Sequence, residues 1–331
     1  MPPQRPKSPC CRQPVVRFGQ RRRQCVHCKK TWSIRPKKRG RPSKFASQSA
    51  IRDVLLNGYS LRHLALRRPG VKLPAFRKRF RHGLRRFTSA PNTTPLPAGP
   101  LILLMDGVWF RFGGKPWVLY LIALRACHAR TAVFLDPVII EGKEGFHKWE
   151  QAVATIPSEA RGRIRALVVD NLRGMEALAR QNSWALQLCQ FHLLLKLQVQ
   201  RTRPRRALRG GSVRLEIYRL IRKALDLPEG SELYTAIDHL RRLERTPCGT
   251  KRIRAMVREF LRCVGFYRTC RSKPDLNLPG TTNTVESMGS IVRQLLRNRS
   301  GSSPRSVLLW SKALIRLRPH ITCNAKTHQQ D

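Results

Sequence analysis

Leu101-Ile-Leu-Leu-Met105 runs into Asp106-Gly107, and Ala166-Leu-Val-Val169 runs into Asp170-Asn171. Each is a continuous apolar segment of strand length that ends on a carboxylate, the pattern of a buried strand delivering a polar group to its edge. The spacing predicts that Asp106-Gly107 breaks the first strand. Acidic residues are scarce in this chain, 19 against 66 lysines and arginines, so two of them placed on core strands do not describe a solvated face. Hard divalent cations want oxygen ligands held rigidly, and strand-end aspartates meet that need. A third carboxylate, Glu286, stands in Thr281-Thr-Asn-Thr-Val-Glu-Ser287 and opens a basic helix with an apolar face of Met288, Ile291, Leu295 and Leu296. The three acids together are candidates for a two-ion magnesium (or manganese) site.

Outward from these runs, strand patterns cover 101–105, 117–124 and 131–140, then 165–169 and 184–188. A helix carrying Phe146, Trp149, Ala152 and Val153 precedes the fourth strand, and another near Met175–Arg180 follows it. Three strands, then helix–strand–helix–strand, is the order of a ribonuclease-H-like α/β core, occupying 101–192. That fold carries one catalytic carboxylate on its first strand and another just after its fourth, where Asp106 and Asp170 stand. Residues 193–280 are helical and basic and too long for a loop, so they are expected to form a helical insertion. Residues 281–301 close the core with Glu286, and 302–331 are expected to be a basic C-terminal tail.

The N-terminal third differs in composition. Residues 1–34 hold Ser8-Pro-Cys-Cys11 and Cys25-Val-His-Cys28 around two short β-like segments, a degenerate zinc-ribbon-like unit. Thiolate ligation of Zn²⁺ replaces a hydrophobic core in such units. Cys11, Cys25 and Cys28 fall on ligand positions and Ser8 stands where the remaining thiolate belongs, so either zinc takes Cys10, His27 or an external group as its fourth ligand or the unit has drifted and no longer binds metal. A basic linker, 35–47, contains Arg39-Gly-Arg41-Pro42, similar to an AT-hook core that lays an arginine pair in the minor groove. Residues 48–88 have the periodicity of a helix-turn-helix: Ile51, Val54 and Leu55 on one helix, a Ser60 cap, then Pro74 opening a third helix. Phe76, Phe80 and Leu84 face inward there, leaving Arg77, Lys78, Arg81 and Arg85 for DNA. The Pro/Thr-rich stretch 89–100 is a linker.

A formal charge of +47 on 331 residues calls for a polyanionic partner, and nucleic acid is the expected one. No apolar run approaches the roughly 20 residues of a membrane-spanning helix, and no membrane partner is expected. Ten cysteines at irregular spacing do not make a disulfide framework. With no apolar leader at Met1-Pro-Pro-Gln-Arg, a cytoplasmic, nucleoid-associated bacterial protein is expected.

Four segments in this order resemble the catalytic domain of Mutator-like DDE transposases of bacterial insertion sequences. They are Met105-Asp106-Gly107; Val168-Val-Asp170-Asn-Leu-Arg-Gly174-Met; Leu188-Cys189-Gln-Phe-His192; and Thr282-Asn283-Thr-Val-Glu286-Ser with its Arg-rich helix, which carries Arg293 and Arg297. The resemblance implies metal-dependent cleavage and strand transfer at DNA ends. Asp106 would bridge two ions, Asp170 would hold one and Glu286 the other. Cys189, His192 and Asn283 would support the site, and Arg293 and Arg297 would bind DNA. Cys189 and His192 alone are compatible with half a zinc site, a buried hydrogen-bond pair or a positioning role, the last being favoured. The partners implied are double-stranded DNA with terminal inverted repeats, target DNA, and further copies of the chain. The alternatives are another ribonuclease-H-like nuclease or resolvase, and a transposon-derived DNA-binding protein without catalysis. Asp136, Glu141, Glu144 and Glu150 are nearby competitors for a metal role, and their pattern is more that of loop and helix-surface carboxylates.

Overall fold

The computed structural model describes residues 7–19, 22–33, 47–67, 71–197, 211–245, 250–297 and 302–322. Arg39 and Arg41, the Pro69-Gly70 turn and the arginine-rich stretch at 201–209 lie outside them. The chain forms two compact units, Met1–Ser49 and Ala50–Asp331. In the first, strands β1 (Val15–Arg17), β2 (Arg22–Cys25) and β3 (Thr31–Ser33) make an antiparallel sheet in sequence order. Among its described residues only Ser8 and Cys25 are buried. A unit this small buries too little apolar surface to hold itself, and needs a staple of another kind.

The second unit begins with helices α1 (Ser47–Leu55), α2 (Leu61–Leu66) and α3 (Leu73–Ser89). Ser60 caps α2 by accepting from the His63 amide at 3.0 Å, and Pro74 sits in the first turn of α3. Strands β4 (Leu101–Phe112) and β5 (Lys115–Ala126) follow as a long hairpin. The expected break at Asp106-Gly107 does not occur. Asp106 pairs with Leu121 and Gly107 with Tyr120, and the strand continues to Phe112. The chain reverses at Gly113-Gly114, with φ of +57° and +78°, the two positive values that a twist-matched two-residue turn requires.

The expected strand over 131–140 divides into β6 (Thr131–Phe134) and β7 (Val138–Glu141), both paired antiparallel to β5. Pro137 lacks an N–H for the ladder, and Asp136 is drawn out of line by Arg316 and Lys312. Helices α4 (Phe146–Ala154) and α5 (Ser158–Gly162), strand β8 (Ile164–Val169), helix α6 (Met175–Gln181), strand β9 (Ala185–Leu188) and helix α7 (Gln190–Leu195) complete this stretch. Strand β4 lies parallel to β8, and β8 parallel to β9.

Helices α8 (Gly211–Asp226), α9 (Ser231–Arg245), α10 (Lys251–Tyr267) and α11 (Thr269–Ser272) then pack as a helical body. It is fastened to β9 through the buried Gln187 amide, which donates to Tyr267 O at 3.0 Å and accepts from the Cys270 amide at 2.7 Å. Leu103 and Met105 of β4, Trp149 of α4, Leu178 of α6 and Phe260 of α10 belong to one continuous core. Helix α12 (Asn283–Arg297) lies against β4, with Val285, Met288 and Val292 buried.

Over 302–322 the expected basic tail is instead a helix and a strand. Ser303 caps helix α13 (Pro304–Leu317), whose Val307, Ala313, Leu314 and Ile315 are buried, and β10 (His320–Thr322) pairs antiparallel with β6. The sheet order is therefore β10-β6-β5-β4-β8-β9, with β7 on β5. Helix α13 also packs on α3, where Trp310 stacks on Phe80 at 5.3 Å between centroids, so the three N-terminal helices belong to the same compact unit as the sheet.

Candidate active site

Asp106 leaves the middle of β4 on the face that α12 covers. A Cβ at Gly289 of α12 would lie 3.2 Å from Asp106 Oδ2, so glycine there lets helix and carboxylate approach. Asp170 follows the last residue of β8 and turns its Oδ1 to the Asn171 amide at 2.8 Å. Glu286 is in the first turn of α12. His192, on α7, joins the last two: its Nδ1 is 3.6 Å from Asp170 Oδ1 and 3.3 Å from Glu286 Oε1. His192 thus links Asp170 to Glu286, and Asp106 is near enough to feel the charge of Glu286, but the three carboxylates are not among the described groups whose ligand atoms all lie within 4.8 Å of one another.

Glu286 is held by groups that surround it. Thr282, buried just ahead of α12, donates its hydroxyl to Glu286 Oε1 at 2.6 Å. That hydroxyl also lies 3.2 Å from Cys189 Sγ, and the Thr282 amide donates to the same sulfur at 3.3 Å. The Gln190 amide donates to Gly280 O at 2.9 Å, tying the start of α7 to the segment before α12. Cys189 and His192 therefore stand in contact with a catalytic candidate, and with Glu286 they form a three-donor group whose ligand atoms lie within 4.8 Å of one another. Asn283, expected to support the site, is exposed at the start of α12 and has only its carbonyl engaged, by the Ser287 hydroxyl at 2.8 Å. Its neighbour Thr282 is the residue that contacts Glu286.

The electrostatics are those of crowded carboxylates. Burial and the charge of Glu286 push Asp106 up to about 6, against the opposing pull of Arg293 and His192. Asp106 Oδ2 is buried with no hydrogen-bond partner, and its nearest cation, Arg293 Nη2, is 3.9 Å away. Burial opposes charge on His192, but the Cys189 thiol and the carboxylates of Asp170 and Glu286 outweigh it and raise the imidazole to about 9.

Glu144, a competitor for a metal role by sequence, departs from the surface placement its pattern favours. Placed by pattern on a loop surface, it is half-buried between β7 and α4, and its Oε2 accepts from the Trp109 indole at 2.6 Å. A Cβ on Gly107 would come within 2.7 Å of its carboxyl carbon. Burial, together with the charges of Asp106 and Asp170, pushes Glu144 up to about 7, although the indole pulls the other way. By contrast Asp136 pairs with Arg316 and Lys312, Glu141 with Lys115, and Glu150 with His147.

In the small unit, Cys10, Cys11, Cys25 and Cys28 bring their sulfurs together within 4.8 Å, an arrangement that can hold a metal ion such as zinc. Cys10 thus takes the position left open between Cys10 and His27. Ser8 is not a ligand: its hydroxyl accepts from the Cys11 and Gln13 amides at 3.3 and 3.1 Å. Hydrogen bonds from Ser8 and from the Cys28 amide lower the Cys25 thiol to about 6, favouring the thiolate that metals bind.

The side chains expected to meet DNA are exposed: Arg77, Lys78, Arg81 and Arg85 on α3, and Arg293 and Arg297 on α12. Among the described residues no helix is long and apolar enough to cross a membrane. No protein-family model matches the chain, and no curated protein matches it either.

Proposed function

We propose that this chain is a DNA transposase of the Asp/Asp/Glu kind, which cleaves transposon ends and joins them to target DNA with two Mg²⁺ or Mn²⁺ ions. The observation that carries this is the convergence of Asp106, Asp170 and Glu286 from β4, the end of β8 and α12 in a chain of net charge +47. The strand order β6-β5-β4-β8-β9, three antiparallel strands followed by two parallel ones, supports a ribonuclease-H-like core. The cysteine cluster on its three-stranded sheet supports a zinc-ribbon-like unit ahead of it.

The donors fit hard divalent cations. They are carboxylate oxygens, and one of them, Asp106 Oδ2, is buried without a partner, a state that costs a few kcal/mol unless a cation or proton meets it. Asp106, Asp170 and Glu286 would hold the ions. The chemistry supplied by a bound pair is activation of water or of a 3′-hydroxyl, and stabilisation of the departing oxygen. The chain's own side chains do the positioning. Thr282 and Cys189 fix the Glu286 carboxylate, His192 lies within 3.6 Å of both Asp170 and Glu286, and Arg293, half exposed beside Asp106, offers a guanidinium to a phosphate. The exposed arginines of α3 add sequence-independent phosphate contacts.

The test uses the purified full-length chain, Mg²⁺, and DNA carrying the sequences that flank its own reading frame. Strand cleavage is expected from the wild type and from neither Asp106→Asn nor Glu286→Gln, while all three retain DNA binding. Wild-type cleavage by either variant would overturn the three-carboxylate assignment.

A further inference from the structure

Glu144 stands out among the acids of this chain. Three other half-buried carboxylates pair with a cation: Asp136 has Arg316 and Lys312, Glu244 has Arg258, and Glu259 has Arg262, while Asp53 accepts from the Asn57 amide. With 66 lysines and arginines available, Glu144 has no basic partner among the described residues. Its surroundings include the Trp109 and Trp149 indoles, the Tyr120 hydroxyl, the backbone at Gly107, and the charges of Asp106 and Asp170. Leaving a half-buried carboxylate beside two others is unfavourable unless a cation joins them.

The geometry brings it there by design of the backbone. Successive side chains leave a strand on opposite faces, so Asp106 emerges toward α12 while Gly107 and Trp109 face the layer of α4. The absence of a side chain at 107 lets the Glu144 carboxylate lie against β4 where Asp106 departs, since a Cβ there would overlap it. Trp109, on the same face, fixes one carboxylate oxygen at 2.6 Å. The loop that carries Glu144 is bounded by Gly142, at φ +103°, and by Gly145 at the start of α4.

We infer that Glu144 is a fourth cation-binding carboxylate of the acidic site, entering from the α4 layer as Glu286 enters from the α12 layer, with Trp109 and Gly107 holding it in place. This rests on the divalent-cation reading of Asp106, Asp170 and Glu286. It assigns a role to three residues outside that triad.

Mn²⁺ binding to the full-length protein, followed by electron paramagnetic resonance without DNA, tests it independently of cleavage. Mn²⁺ prefers oxygen donors, so the cysteine cluster does not obscure the result. Glu144→Gln should weaken Mn²⁺ binding by about tenfold or more, and Trp109→Phe, which keeps the ring but removes the donor, by a smaller factor in the same direction. Glu159→Gln, an exposed acid on α5, should leave it unchanged. If Asp106→Asn loses Mn²⁺ while Glu144→Gln and Trp109→Phe bind it as the wild type does, Glu144 is only a wall of the site and the inference falls. If Asp106→Asn also binds as the wild type does, the cation reading of the triad falls with it.

Discussion

Replacing Arg316 with methionine should loosen the seam between α13, α3 and the β6–β7 turn without touching the acidic site. Arg316 is almost fully buried and holds Asp136 at two points, Nε to Oδ1 at 2.9 Å and Nη2 to Oδ2 at 2.6 Å. Its remaining nitrogen, Nη1, donates to the carbonyls of Phe87 and Ala90 at 3.1 and 2.6 Å, at the end of α3. Removing one partner of a buried ion pair costs about 3–5 kcal/mol. Asp136 keeps Lys312 at 2.9 Å and is 29% exposed, which moves the loss to the lower end. The two carbonyls add about 1 kcal/mol between them, because both lie near solvent. A destabilisation of about 4 kcal/mol results, while methionine preserves most of the apolar stem. At roughly 2–4 °C per kcal/mol for a unit of this size, the melting temperature should fall by about 8–16 °C in a calorimetric scan.

The same pair carries a pH signature. Burial opposes the charge on Asp136, but Arg316 and Lys312 hold its carboxyl below the ordinary value. The stabilisation is therefore complete above the unfolded pKa of about 3.9 and is lost as pH falls below it toward the folded value. Arg316→Met should show less of this acid-side loss than the wild type. A melting temperature within about 2 °C of wild type would refute the assignment of this seam.

Thr282→Val keeps the shape beside Glu286 but removes the hydroxyl at 2.6 Å. Loss of a hydrogen bond to a charged group, about 1.5–3 kcal/mol, should slow DNA cleavage by roughly 10- to 100-fold, read in single-turnover assays with unchanged DNA affinity; an unchanged rate would remove Thr282 from the site. In the N-terminal unit, Cys10→Ala should abolish stoichiometric zinc, measured by metal analysis of the full-length protein. Ser8→Ala should keep the zinc, since Ser8 binds backbone amides rather than metal. Retention of zinc by Cys10→Ala would show that the fourth ligand lies elsewhere.

What the sequence disclosed followed the reach of local pattern. Apolar runs placed β4, β8 and β9, because a buried strand needs an unbroken hydrophobic segment whatever it pairs with. Strand-end aspartates and a first-turn glutamate were visible because acids are rare in this chain. The length of β4 was not visible: Asp106-Gly107 resembles a terminator, and only pairing with β5 carries the strand through it. Glu144 looked like any loop acid, since its meaning depends on Trp109 and Gly107, distant residues brought beside it by the sheet. Thr282 was passed over for Asn283 because a one-residue choice at a helix start is settled by which side chain turns inward. Helix α13 was hidden by its basic residues, although Val307, Leu314 and the Ser303-Pro304 start carried its period and its cap.

The placement of α12 has a consequence for when the acidic site comes into being. Asp106 lies in the first third of the chain, yet Glu286 and Gly289 reach it only when a helix near the end docks on β4. Strand β10, later still, closes the sheet edge against β6. Chains emerge from the ribosome at about 5–20 residues per second, and early segments fold before late ones appear. A nascent or truncated chain can therefore lay down β4 and β5 while lacking the third acid, and the set of carboxylates is complete only after synthesis has passed α12.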